Sequence, residues 1–153
     1  MIQRIQSIFI LVSAVLQVVF LKASLAQYFI SNKVVDFYAM GFYVQPEKAE
    51  KIFSTFTLAI LSWVILFLTA VSLFLYKKRM LQIRFCIYSL LLNIGEIGLI
   101  LFFMNSFNGN FQPESHSYKL ALVIPVANAI LLYLAFRGIR KDELLVKAYH
   151  RLR

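Results

Sequence analysis

Four side chains in this sequence stand where apolar surroundings tolerate them only with partners: Gln17, Asn93, Glu96 and Asn128 each lie inside a run of Leu, Ile, Val and Phe. An ionisable carboxyl near the middle of a bilayer costs roughly 2.5 to 3.5 kcal/mol on insertion scales, so Glu96 requires compensation. Two chemistries are open to such a set. The polar groups can bond helices to one another, or the carboxyl can bind and release a proton or contact a ligand. Relays chain several ionisable groups, and no second carboxylate lies within an apolar run, so the bonding role is the stronger reading.

Other reactive residue types are sparse. Cys86 is the single cysteine, which excludes an intrachain disulfide. A thiol becomes reactive in an exposed, electropositive setting; Cys86, within an apolar run close to Arg84, reads as a small buried residue. His116 and His150 are far apart and lack metal-ligand spacing. No nucleophile with a neighbouring base and no phosphate loop appears. The expectation is a non-enzyme without cofactor or metal.

The elements that must hold the polar residues are four apolar runs, 5–26, 52–76, 85–104 and 120–136. A spanning helix needs about 20 predominantly apolar residues. With 61% hydrophobic residues, 15% charged residues and a mean hydropathy of +0.75, there is too little polar surface to cover a soluble globule. The expected fold is therefore all-α, one integral membrane four-helix bundle over 1–153. Its outer segments are 27–51 and 105–119, with a connector at 77–84 and a tail at 137–153. The first run, with Arg4 before it and Ser24-Leu25-Ala26 at its end, also resembles a secretory signal, but it is long enough to span and reads as a retained anchor.

The formal charge of +9 would suggest nucleic-acid binding in a soluble protein. Topology explains it better. Arg4, the connector residues Lys77, Lys78, Arg79 and Arg84, and the tail residues Arg137, Arg140, Lys141, Lys147, Arg151 and Arg153 fall on one side of four spans. The positive-inside rule places that side, with both termini, in the cytoplasm. These cations, apart from Arg4 and Arg137, are the expected contacts for anionic headgroups or a partner protein. No nucleic-acid partner is expected.

Counting inward from the basic ends at 1.5 Å per residue puts Gln17 and Glu96 at about 18 to 20 Å and Asn128 at about 14 Å. Three helices thus bring polar groups to a similar depth. Asn93 and Glu96 share a face. Gly95 and Gly98 would let a neighbour approach closely beside them, and Pro125 would free the Ala121 carbonyl as a further partner. A neutral Glu96 carboxyl donating to Gln17 or Asn128 would satisfy it. Ser62, Thr69 and Ser72 lie on one face of the second helix, which permits close packing or interhelical hydrogen bonds; packing is the stronger reading over a polar pathway, since such hydroxyls can also bond their own helix backbone.

The segment 28–46 carries Phe37, Tyr38, Phe42 and Tyr43 and is too aromatic for a solvated linker. An interfacial aromatic belt, a hairpin turning near Gly41, and an apolar patch for a partner all remain open. The segment 105–119, with Gly109 and Pro113, reads as a loop. In the tail, Leu144, Leu145, Ala148 and Leu152 form an apolar stripe flanked by Lys and Arg, as expected of a short amphipathic helix on the membrane surface.

Three patches support a resemblance across the whole chain: Met1-Ile2-Gln3-Arg4-Ile5-Gln6, Leu81-Gln82-Ile83-Arg84-Phe85-Cys86, and Ile139-Arg140-Lys141-Asp142-Glu143 with Arg151-Leu152-Arg153. The chain resembles a family of small inner-membrane proteins of Bacteroidota known as domain of unknown function 4293. The resemblance implies a four-helix membrane protein and carries no activity. The resulting expectation is an accessory or structural subunit of a larger inner-membrane complex, with membrane-protein partners and anionic lipids around it. The alternative is a small oligomeric transporter or lipid-binding protein using Glu96.

Overall fold

The computed structural model describes residues 2–30, 33–44, 51–75 and 78–151. Four long helices run up and down: α1 (Ile2–Lys22), α2 (Phe56–Phe74), α3 (Arg79–Phe111) and α4 (Ile124–Arg151). Around the bundle α1 packs on α2 and α4, and α3 packs on α2 and α4, so α1 and α3 face each other across a diagonal. The short α2–α3 connector and the outer ends of α1 and α4 share one end, here the basic end.

The bundle is inside out. Its buried line on α3 includes Gln82, Cys86, Ser89, Asn93 and Glu96, and α1 buries Gln6, Ser13 and Gln17. The outward faces carry Leu11 and Val15 on α1, Trp63 and Phe67 on α2, Leu91 and Phe102 on α3, and Ile130 and Tyr133 on α4, all more than half exposed or nearly so. A water-soluble bundle has the reverse arrangement. The stretches Phe56–Phe74, Met80–Phe111 and Leu120–Leu144 are each long and apolar enough to cross a membrane, which marks the chain as a membrane protein. The apolar stretch of α1, Gln6–Lys22, is shorter.

The all-α expectation is corrected at the other end. Strands β1 (Ala26–Ile30), β2 (Lys33–Tyr38), β3 (Gly41–Val44), β4 (Lys51–Ser54) and β5 (Ser115–Tyr118) form an antiparallel sheet in the order β4-β3-β2-β1-β5. β1–β4 lie between α1 and α2, and β5 lies between α3 and α4, so the sheet caps one end of the bundle. The helical runs are shorter or longer than expected for this reason. Run 5–26 stops at Lys22 and passes into β1; run 52–76 begins as β4; run 85–104 extends from Arg79 to Phe111. The 105–119 segment is helix, a left-handed cap at Gln112 (φ 40°) and strand rather than loop.

The hairpin expected near Gly41 is present: Tyr38 pairs with Gly41 across a two-residue turn, Ala39-Met40. Alternation then assigns the aromatics to two faces. Phe37 and Phe42 are fully buried, stacked at 4.3 Å between ring centres, and Phe42 stacks on Phe107 of α3 at 4.0 Å. Tyr28 joins them, 4.9 Å from Phe107. This aromatic core, with Phe20, Leu58, Ile100 and Met104 beneath it, holds the sheet to the helices. Tyr38 and Tyr43 meet edge-on at 5.9 Å on the opposite face. Leu25 and Ala26, which follow the signal-like run, are completely buried in the same core.

The tail continues α4 without a break to Arg151, so the expected amphipathic helix is the last part of one 28-residue helix. Pro125 stands in the first turn of α4, where proline removes no needed donor. The Ala121 carbonyl it was expected to free accepts from Ile124 N–H in a short 3-10 turn, Leu120–Val123.

Candidate functional site

Midway along the bundle the buried polar residues of all four helices converge. Gln17 Nε2 donates to both carboxylate oxygens of Glu96, at 2.9 and 3.1 Å. The same amide accepts through Oε1 from Asn128 Nδ2 at 2.7 Å. From α2, Ser62 Oγ contacts Glu96 Oε1 and also lies 2.9 Å from the Leu58 carbonyl. Gln17, Ser62, Glu96 and Asn128 are all within 1% of complete burial. Each helix contributes one residue, and Gln17 bridges the diagonal.

The helices place these groups by simple periodicity. On α3, Ser89, Asn93, Glu96 and Ile100 follow one another at spacings of four, three and four, which keeps one face inward. Gly95 and Gly98 therefore point away from the interior, and nothing approaches within 4 Å of where their Cβ atoms would be. The expectation that they admit a neighbouring helix beside Glu96 is overturned by that rotation.

The hydrogen bonding reverses one expectation. Glu96 accepts from Gln17 rather than donating to it. Ser62 has one hydroxyl hydrogen and two acceptors in reach. With Glu96 ionised, that hydrogen goes to Oε1. With a proton on Oε1, Glu96 donates to Ser62 Oγ and Ser62 donates to the Leu58 carbonyl. Both protonation states complete their hydrogen bonds without moving a helix.

Of the predicted set, Gln17, Glu96 and Asn128 are bonded together, and Asn93 is buried on the same face but makes none of these bonds. Both side-chain atoms of Asn93, Asn128 Oδ1 and Ser89 Oγ are buried with no protein hydrogen-bond partner. Ser62 was expected on a face for packing or interhelical hydrogen bonds but was not placed in the cluster. The same depth count applied to α2, about 22 Å from Lys77 by helical rise, would have found it. Nearer the basic end, Ser72 Oγ lies 3.4 Å from Cys86 Sγ, and Gln6 Nε2 donates to Asp142 Oδ2 at 2.9 Å, joining α1 to α4. Cys86 is completely buried.

Lys78, Arg84, Arg140 and Lys141 are exposed. Arg140 borders a cleft of about 320 Å³ between α3 and α4, lined by Met80, Ile83, Ile87, Phe136, Glu143 and Leu144. Lys77 and Arg153 lie outside the described residues; Arg79, Lys147 and Arg151 belong to helices, with their side chains outside the description. Phe37 and Phe42 are core rather than interfacial anchors, while Tyr43 lines a second groove with Met40 and the outer face of α2. At the sheet end Lys119 Nζ binds Ser24 Oγ at 2.6 Å and the buried Asp36 carboxylate at 3.4 Å. No group of three or more His, Cys, Asp or Glu suited to a metal occurs among the described residues.

Fold and site together define a class: a membrane helical bundle with an inward polar cluster and an antiparallel sheet capping one end. The sequence model of the family described as "Domain of unknown function (DUF4293)" matches residues 2–152, and the chain belongs to that family. No curated protein and no solved structure matches it.

Proposed function

We propose that this protein is a non-enzymatic accessory subunit of a larger assembly in a bacterial inner membrane. In this reading all four helices cross, α1 being carried by its packing on α2 and α4. The basic end, with both termini, faces the cytoplasm, in keeping with the positive-inside rule.

One observation carries the proposal. A groove of about 590 Å³ runs from the β2–β3 turn onto α2 and is lined by Met40, Tyr43, Phe56, Ile60, Trp63 and Phe67. Phe56, Trp63 and Phe67 are 66, 55 and 68% exposed. A concave apolar surface continuous between a sheet and a spanning helix suits a partner's helix that also crosses the boundary. The polar cluster supports the same reading, since Gln17, Ser62, Glu96 and Asn128 bond the helices to one another.

The test is gentle-detergent purification of the tagged chain at native expression, with mass spectrometry and a measured complex mass. Stoichiometric recovery of a membrane assembly, lost on Trp63→Ala with Phe67→Ala, is the expected result. Recovery of this chain alone overturns the proposal. A second reading, a lipid-binding or small transport protein, is favoured by the Arg140 cleft, whose apolar walls and cationic rim suit an acyl chain and an anionic headgroup.

A further inference from the structure

The groove on α2 has no charged residue in its lining. The cleft between α3 and α4 is lined by charges of both signs on one helix, Arg140 and Glu143. The rest of its wall is apolar, with Met80, Ile83 and Ile87 from α3 and Phe136 and Leu144 from α4. At about 320 Å³ it stands at the lower end of the range for small-molecule sites.

Because α4 runs toward the basic end, Phe136, Arg140 and Glu143 follow one another outward, about 6 Å and then about 4.5 Å apart by helical rise. Spacings of four and three keep them on one side of the helix. Lys77, Lys78 and Arg79 precede the α3 wall, and Lys141 and Asp142 accompany the α4 wall. The open end of the cleft is therefore at headgroup level when the helices cross a bilayer. Going outward, the wall presents an apolar surface, a guanidinium and a carboxylate. A phospholipid lying along the bundle presents, in the same order, an acyl chain, a phosphate and the group that the phosphate carries.

Glu143 selects among headgroups. The planar fork of an arginine matches phosphate oxygens, so a phosphate fits beside Arg140. A headgroup with no cation, such as phosphoglycerol, would set its charge near the Glu143 carboxylate with nothing to answer it. Phosphocholine carries a cation without an N–H to donate, and quaternary ammonium groups are held by aromatic cages. Among the described residues Phe136 is the aromatic member of this wall, and a single ring makes no cage. A primary ammonium has three N–H donors, and a carboxylate accepts several at once.

We infer that the cleft between α3 and α4 is a site for a phosphoethanolamine lipid, its phosphate on Arg140, its ammonium on Glu143 and one acyl chain against Ile83, Ile87 and Phe136. The exposed Arg84, Arg137 and Lys141 of the same helices attract anionic lipids to this end in general; the two opposite charges within the cleft supply its choice. The inference rests on the lipid-binding reading of this cleft and is independent of the subunit reading.

The test is native mass spectrometry of the full chain, freed of loosely held lipid in detergent and titrated with phosphatidylethanolamine, phosphatidylcholine and phosphatidylglycerol of the same acyl chains. Retention of phosphatidylethanolamine at about tenfold lower concentration than the other two is expected, the scale of one hydrogen bond to a charged group. Glu143→Gln should bring phosphatidylethanolamine and phosphatidylcholine to the same affinity, and Arg140→Ala should weaken all three. Ile83→Trp, which fills the cleft, should abolish retention. Equal retention of the three lipids by the unmutated chain, or a preference for another of them, overturns the inference and leaves the lipid-binding reading standing. Retention of none overturns both. Retention unchanged in Ile83→Trp places the lipid elsewhere and overturns the site. The titrations of the unmutated chain decide the headgroup even where a variant fails to fold.

Discussion

Gln17 and Glu96 are joined across the diagonal of the bundle, the Gln17 amide donating to both carboxylate oxygens at 2.9 and 3.1 Å. Adjacent helices in a bundle can be held by packing at their seams, but diagonal helices touch only through side chains long enough to reach the axis. A glutamine opposite a glutamate provides that reach. Asn128 and Ser62 then tie in the remaining helices at the same level.

The cluster should tolerate a neutral isostere and not a truncation. Glu96→Gln keeps an acceptor for Gln17 and should change stability by less than about 1 kcal/mol. Glu96→Ala leaves Gln17 Nε2 without an acceptor, removes the Ser62 contact and opens a cavity, costing about 2 to 3 kcal/mol if each interhelical bond is worth about 0.6 kcal/mol and the void adds the rest. Thermal unfolding in detergent, followed by fluorescence-detected gel filtration, separates the two. Equal losses would show that the carboxylate itself, rather than its bonding, is needed.

A methyl group at position 138 should disturb a contact on the far side of α4. A Cβ built on Gly138 would lie 2.9 Å from Gln6 Cγ and 3.1 Å from Nε2. Gln6 would have to move, breaking its bond to Asp142. Gly138→Ala should therefore destabilise the bundle by about 1 kcal/mol, and Gln6→Ala should cost much less in the Gly138→Ala background than in the parent. Additive losses in that double-mutant cycle would sink the explanation.

Phe107 is the pin between sheet and bundle. It stacks on Phe42 at 4.0 Å and contacts Tyr28 at 4.9 Å. Phe107→Ala should cost about 3 to 5 kcal/mol, as for other buried Phe truncations. Limited proteolysis should then cut within 33–44 while the helical circular dichroism persists. Loss of helix and sheet together would mean that they form one cooperative unit.

Tyr28 predicts the alkaline behaviour of the sheet. Burial, with a smaller contribution from Tyr118, pushes its phenol up to about 12, against about 10 in an unfolded chain. The neutral form is the one the fold favours. Its stabilisation is complete below pH 10 and is lost as pH rises through 12, because the unfolded state sheds the proton first. Tyr28→Phe should remove this part of the alkaline loss, measured as the difference between the two melting curves from pH 9 to 12. Identical pH dependence in both would disprove the assignment.

Helices and polar depth were legible in the sequence because both follow from local counting: apolar length gives the span, and residues from a charged end give the level. That was enough to bring Gln17, Glu96 and Asn128 together. Rotation about the helix axis was harder. Small residues at 95 and 98 suggested a packing face, but the cost of exposing Asn93 and Glu96 to lipid outweighs the gain from close approach, so the glycines turn outward. The sheet escaped for a different reason. Its strands are four to six residues long, and β1 finds β5 only after α2 and α3 have intervened, so no local pattern announces the pairing.

That pairing of Ala26–Phe29 with Ser115–Tyr118 also sets an order of events during synthesis. The first helical pair emerges with β1 held on one flank by β2 and bare on the other. Closure waits until α3 has been inserted and the following residues delivered to the same face. Until then the unpaired edge of β1 is open to misassociation. Completion of the sheet thus records that α3 has returned the chain to the end of the bundle where β1 waits.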